Sequence, residues 1–294
     1  MSKDMLDLLD GMLDIDEEEE VREHDICHTV FNYPGGKTRA LQNILPHLPY
    51  TDTYVEPFGG SAALLLARKP VKLEVYNDRF GGVVEFYRCI KDRELCERLI
   101  DWLELTVHSR EEFVTAKNTW PDHEDQVVRA GMWFYMSIYS FASIGRNFGR
   151  AVRPNAVLSG RARDKLVDFW ALHERLKRVT IENQDWPSIF RDFDTPDTVF
   201  YVDPPYIDAY KGTYKYELSK ADHAKLIDTI MNCEGFVALS AYPNEFYDSF
   251  QWDNFYSWDQ YVSLTGQAVT ETNAQTRVHE RASVKEGLYI KESK

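Results

Sequence analysis

The chain has 294 residues, 44% of them hydrophobic and 14% aromatic, which is enough to bury a sizeable core and excludes wholesale disorder. Four scattered cysteines, Cys27, Cys89, Cys96 and Cys233, form no CxxC pair and exclude a disulfide framework or a cysteine-held metal site; reduced thiols and a cytoplasmic location are expected. The net charge of −14 argues against a polyanionic partner until its distribution is read: residues 1–26 hold eleven acids against Lys3 and Arg22 and supply −9, leaving −5 for the rest.

Residues 1–26 read as a flexible acidic arm. "MLDLLDGML" has the spacing of a short amphipathic helix but lacks the basic start and apolar run of a signal peptide. "YPGGK" (33–37) is a turn by composition, and "TRALQNILPHL" then has helical spacing. "TYVEPFGG" (53–60) is a short strand running into a glycine turn, and "SAALLLARK" continues as a helix. "KLEVYND" (72–78) is a second strand ending at Asn77 and Asp78. "FGGVVEFYRCIKDRELCERLIDWLEL" is helical for most of its length. Strand–helix–strand–helix begins a parallel α/β sheet.

Residues 106–178 break that rhythm. "DQVVRAGMWFYMSIYSFAS" and "RDKLVDFWALHERLKRV" read as helices flanking a basic, glycine-punctuated loop, "IGRNFGRAVRPNAVLSGRAR". The apolar stretch at 131–145 is too short to span a bilayer. Between 129 and 178, ten Lys and Arg oppose three Asp and Glu. This segment is read as an inserted, mainly helical module. The α/β pattern resumes with "RVTIENQDW" (178–186), "TVFYVDPPY" (198–206), a helix over "LSKADHAKLIDTIMNCEG" and a strand at 236–242. The tail reads as a polar loop and a closing strand, "VKEGLYI".

Three constellations carry chemistry. The first, "EPFGGSAALL", sets Gly59 and Gly60 between a strand and a helix, where open α/β sheets bind ligands; Asp78, ending the next strand, can accept both hydroxyls of a ribose. On its own this fits any nucleoside cofactor or a merely tight turn. It has neither G-x-G-x-x-G nor a Walker loop. The second is "DPPY" (203–206). Two prolines stiffen a strand end and leave a carboxylate, a proline carbonyl and an aromatic ring together. Two acceptors and a stacking face suit a planar base with an exocyclic NH₂; the bland alternative is a proline-stopped strand with a buried tyrosine. The third is the basic loop, where Arg146, Asn147, Arg150 and Arg153 suit phosphates and base edges, or form a solvated basic face.

On these residues the sequence resembles the Dam-type (D12 class) DNA adenine-N6 methyltransferases over roughly residues 28–292. "NYPGGK" resembles the family's W-A-G-G-K element, "EPFGGSAAL" its F-x-G-x-G motif, "GRNFGRAVRP" part of its target-recognition domain, "VTIENQDWPSIF" its adenine-stacking segment, and "DPPY" its catalytic tetrapeptide. Tyr33 stands for the usual tryptophan and Ala62 for the last glycine. The resemblance implies a class I, Rossmann-like methyltransferase sheet (27–105 and 179–294) with an inserted target-recognition domain (106–178). It implies a bacterial or phage-encoded enzyme that transfers methyl from S-adenosyl-L-methionine to N6 of a flipped adenine in double-stranded DNA. Tyr33, Lys37, Phe58, Gly60, Asp78, Asp185, Trp186 and Asp203 would surround the cofactor. Asp203, Pro204 and Tyr206 would hold the target base, and Arg146, Asn147, Arg150 and Arg153 would face DNA. No metal and no membrane are expected; a monomer or weak dimer is compatible with the sequence. N4-cytosine methylation and non-catalytic DNA binding are the alternatives.

Overall fold

Val199, Phe200, Tyr201 and Val202 are all buried, so the stretch that precedes "DPPY" lies in a sheet covered on both faces; that is why it reads as an unbroken apolar run. The computed structural model describes residues 26–140, 145, 147–149, 160–207, 216–261 and 283–294. Its strands are β1 (Thr53–Glu56), β2 (Leu73–Asn77), β3 (Val179–Glu182), β4 (Thr198–Val202), β5 (Phe236–Ala241), β6 (Asn254–Tyr261) and β7 (Ser283–Lys291). They form one sheet in the order β3-β2-β1-β4-β5-β7-β6. The first five are parallel, and β7 runs antiparallel between β5 and β6. This is the class I methyltransferase architecture that the resemblance implies.

Successive residues of each strand feed opposite layers. Tyr54, Tyr76 and Tyr201 join a core with Phe86, Phe134 and Phe169. Val55, Val75, Phe200 and Val202 join a second core with Ile189, Phe190, Leu226 and Ile230. Helices Gly81–Lys91, Gln126–Tyr139 and Phe169–Leu176 cover the first face, and Trp186–Phe193 and Lys220–Asn232 the second. Two helices of the 106–178 segment therefore pack directly on the first layer: Phe134 stacks on Phe86, ring centroids 5.0 Å apart. Arg175 secures this packing with a fully buried bidentate pair to Glu74 on β2, and its Nη2, one of the two nitrogens in that pair, also donates to the Leu65 carbonyl. Truncating either partner leaves a buried charge alone, worth about 3–5 kcal/mol.

Three differences from the sequence reading have local causes. The long helix after β2 is two, Gly81–Lys91 and Arg93–Leu105, because Asp92 turns extended (φ −84°, ψ 127°) and its carboxylate caps Leu95 N–H. The strand read over 178–186 is confined to 179–182, because Asp185 already opens the next helix, with Pro187 in its first turn. β6 was not foreseen; its "NFYSWDQY" follows a helix and a short bend and gains a partner only through β7. The acidic arm and the polar loop after β6 lie outside the described residues. Among the described residues no helix is long and apolar enough to cross a membrane.

Candidate active site

Strand order reverses between β1 and β4, since the chain steps outward through β2 and β3 and returns to place β4 on the other side. Loops leaving the carboxyl ends of β1 and β4 diverge, and an open crevice forms at such a switch point. A cavity of about 1040 Å³ occupies it.

The turn after β1 is shaped by contacts that only glycine permits. A Cβ on Gly59 would stand 2.2 Å from the Tyr76 ring, and one on Gly60 would stand 3.0 Å from the Tyr33 ring. Gly60 is left-handed at φ +50°, and so is Ala62 at φ +53°. The position where the resembled motif carries its last glycine thus demands a conformation that disfavours a side chain by about 1–2 kcal/mol. Alanine is held there by its N–H to the Gly59 carbonyl (2.7 Å). Asp78 joins this turn to the next: its carboxylate accepts the N–H groups of Gly60 (2.9 Å) and Phe80 (2.7 Å). Burial pushes the Asp78 carboxyl up to about 6, against the pull of those two N–H groups. Two of its roughly four lone-pair sites remain for a ligand. Asn77, read in the sequence only as a strand end, ties three loops together. It donates to the Pro57 and Gln184 carbonyls and accepts Gln184 N–H.

Phe58 and Trp186 face one another across the cavity with ring centroids 6.5 Å apart and planes inclined by 33°. A flat ring between them needs about 3.5 Å on each side, so a small opening admits a purine. At the rim Asp185 is ion-paired with Arg79, whose guanidinium lies 5.3 Å from the Tyr216 ring.

On the other side of the cavity the Lys37 ammonium is 2.7 Å from both oxygens of Asp203, 2.9 Å from the Gly35 carbonyl and 3.6 Å from Glu286. Burial opposes the Lys37 charge, but Asp203 and Glu286 outweigh it and hold the ammonium above its ordinary range. Burial likewise pushes the Asp203 carboxyl up while Lys37 pulls against it. The two side chains form a close salt bridge, and 17% of the Asp203 side chain stays open to the cavity. The Tyr206 phenol donates to Glu286, and its ring packs edge-on against Tyr242 at 4.6 Å.

Tyr33, Lys37, Phe58, Gly60, Asp78, Asp185, Trp186 and Asp203 all line the one cavity. Pro204 and Tyr206 are buried behind its wall, where Pro205 forms the lining. Asn147 is exposed; Arg146, Arg150 and Arg153 lie outside the described residues. The sequence reading missed Glu286. Its signal was a charged residue in file with Val284, Leu288 and Ile290, on a strand whose alternate positions enter the core. Among the described residues no group of three or more His, Cys, Asp or Glu is placed to hold a metal.

A switch-point crevice with glycine walls, two aromatic rings at its edge, a carboxylate with spare acceptors and a lysine-paired aspartate opposite defines a group-transfer enzyme built for a nucleoside cofactor. The family profile of the D12 class N6 adenine-specific DNA methyltransferases matches residues 33–264. The chain belongs to that family, whose activity uses S-adenosyl-L-methionine. It is 26% identical over 189 residues to modification methylase LlaI of Lactococcus lactis subsp. lactis, covering 60% of this chain and 29% of that protein. It is 20% identical over 256 residues to type II methyltransferase M.CviBI of Paramecium bursaria Chlorella virus NC1A, covering 83% of this chain and 96% of the viral enzyme. The chain thus spans less than a third of the lactococcal relative and nearly all of the viral one.

Proposed function

We propose that this chain methylates N6 of an adenine flipped out of double-stranded DNA, with Asp203 as the residue that meets the reacting amine. The observation that carries this reading is the Lys37–Asp203 pair at the cavity wall, immediately after β4 and next to a proline carbonyl. S-adenosyl-L-methionine, when bound, supplies an electrophilic methyl group on its sulfonium. Phe58 and Trp186 would hold its adenine, Asp185 would flank that ring, Asp78 would accept from its ribose hydroxyls, and the Tyr33–Lys37 turn would close over its remainder.

Adenine N6 is a poor nucleophile because its lone pair is delocalised into the ring. Asp203 and the Pro204 carbonyl accept the two N6 hydrogens and favour a pyramidal nitrogen, so the lone pair localises as the new N–C bond forms. One proton then leaves the methylated nitrogen, and Asp203 is the acceptor within reach. Acceptors fixed before the charge develops need no reorganisation at the moment of reaction, and the rest of the rate enhancement comes from alignment. A base inside the duplex offers neither face nor amine to this geometry, hence flipping. Stacking by Tyr206 requires the wall at Pro205 to shift when the base enters. The basic 145–163 region, with Arg146, Asn147, Arg150 and Arg153, would contact DNA. The neighbouring helix Gln126–Tyr139 borders the cavity through Trp133 and Met136.

Treating double-stranded DNA with methyl-labelled cofactor and digesting it to nucleosides tests this reading. Label in N6-methyldeoxyadenosine is the expected result. Label in N4-methyldeoxycytidine selects the cytosine alternative, and unlabelled DNA over a full set of sequence contexts rejects methylation.

A further inference from the structure

Gly287 pairs with Ala241, the last residue of β5, so Glu286 sits at the same rim of the sheet where Asp203 follows β4. Its side chain is 3% exposed. Around it converge Lys37 from the turn before β1, Tyr206 from beyond β4, and Tyr242 from beyond β5; Tyr201 on β4 and Glu56 on β1 face Asp203. Two carboxylates thus have one ammonium between them, and the motif tyrosine, whose phenol donates to Glu286, also stabilises the charged form of Asp203.

We propose that Glu286 is a positioning residue that shares Lys37 with Asp203 and so sets how much negative charge Asp203 keeps for the N6 amine, while anchoring Tyr206 through its phenol. This rests on the role of Asp203 given above. If Lys37 served Asp203 alone, the aspartate would be held as a tight ion pair and would be a weaker acceptor. A second carboxylate on the same ammonium divides its pull. Burial pushes the Glu286 carboxyl up, Lys37 and the Tyr206 phenol oppose this, and the charge on Asp203 adds to it. Neutralising Glu286 leaves Asp203 the whole of Lys37. The two protons belong to the pair, not to either residue.

Glu286→Gln keeps the size and an acceptor for Tyr206 but removes the charge. Carboxyl-carbon NMR titration of the full chain, wild type against E286Q, is expected to show the Asp203 midpoint falling by about one pH unit. The acid limb of the kcat profile for methyl transfer should move down with it while the cofactor KM holds. An unmoved or raised Asp203 midpoint overturns the proposal; a residue that only filled space would leave it unmoved. If E286Q does not fold, D203N decides: the Glu286 midpoint falls if the ammonium is shared and stays if it is not. Because the titration needs no turnover, a shifted midpoint in a protein that fails to methylate adenine upholds the charge sharing and rejects only the role given to Asp203.

Discussion

Phe58 and Trp186 both line the cavity with ring centroids 6.5 Å apart, whereas Tyr206 is packed edge-on against Tyr242 at 4.6 Å and bonded through its phenol to Glu286. The first pair stands close to the spacing that a flat ring needs, on loops that Asn77 and Asp78 fix to one another. The second is a ring already committed to protein partners. Nearly formed walls keep the ordering cost of binding low, so under the proposed roles the cofactor end is built for affinity. The base end gains a ligand only by exchanging existing contacts for new ones, and this favours a base that is correctly delivered.

Separating the two ends by mutation has its largest effect at Asp203. Asp203→Asn keeps the shape of the wall and removes the charge; turnover should fall by about 10²–10³-fold, with cofactor affinity by calorimetry nearly unchanged. A parallel collapse of cofactor affinity would show that the two ends are one unit. Next in size is Trp186→Ala, which opens one side of the slot. Loss of one stacking face is worth about 1–3 kcal/mol, so the cofactor Kd should rise roughly tenfold or more while the Kd for DNA holds. Tyr206→Phe should show the converse, an unchanged cofactor Kd. The smallest effect is the pH dependence of the slot itself. With the Asp78 carboxyl near 6 and its ionised form as the ribose acceptor, cofactor Kd should rise about fourfold between pH 7 and pH 5.5, and Asp78→Asn should flatten the curve. Stability linked to the same group has the opposite sign. Its folded value lies above the unfolded one, so its contribution is complete below about 3.8 and is lost as pH rises through about 6. Acid therefore weakens cofactor binding while favouring the empty fold through Asp78, and thermal melts paired with binding isotherms resolve the two.

The cofactor end was the more legible in the sequence, for a physical reason. Phe58, Gly60 and Asp78 lie at or just beyond strand ends, and short apolar runs closed by glycine or aspartate announce those ends locally. The base end depends on pairings that no local pattern carries: Lys37 meets Asp203 across 166 residues, and Tyr206 meets Glu286 across 80. Tyr206 could be read as an aromatic beside two prolines, either stacking on a base or buried, but its partner could not, because the acceptor lies on another strand. β6 was invisible for a related reason, since its order comes from β7. The helices of 106–178 were visible by periodicity, yet their packing against Gly81–Lys91 depends on Phe86 meeting Phe134 and Glu74 meeting Arg175, which are again distant in the chain.

The position of β7 also governs when this sheet and its charge set come together on the ribosome. β6 emerges first but has no place in the sheet until β7 enters between it and β5. Glu286 follows Tyr206 by 80 residues, roughly ten seconds of synthesis. Throughout that interval a nascent chain can own Phe58, Trp186 and the whole DPPY tetrapeptide while its Lys37 lacks the second carboxylate and its Tyr206 lacks the Glu286 acceptor. β7 is the strand that finishes the charge set, so a chain released before it lacks the Glu286 that Lys37 and Tyr206 meet.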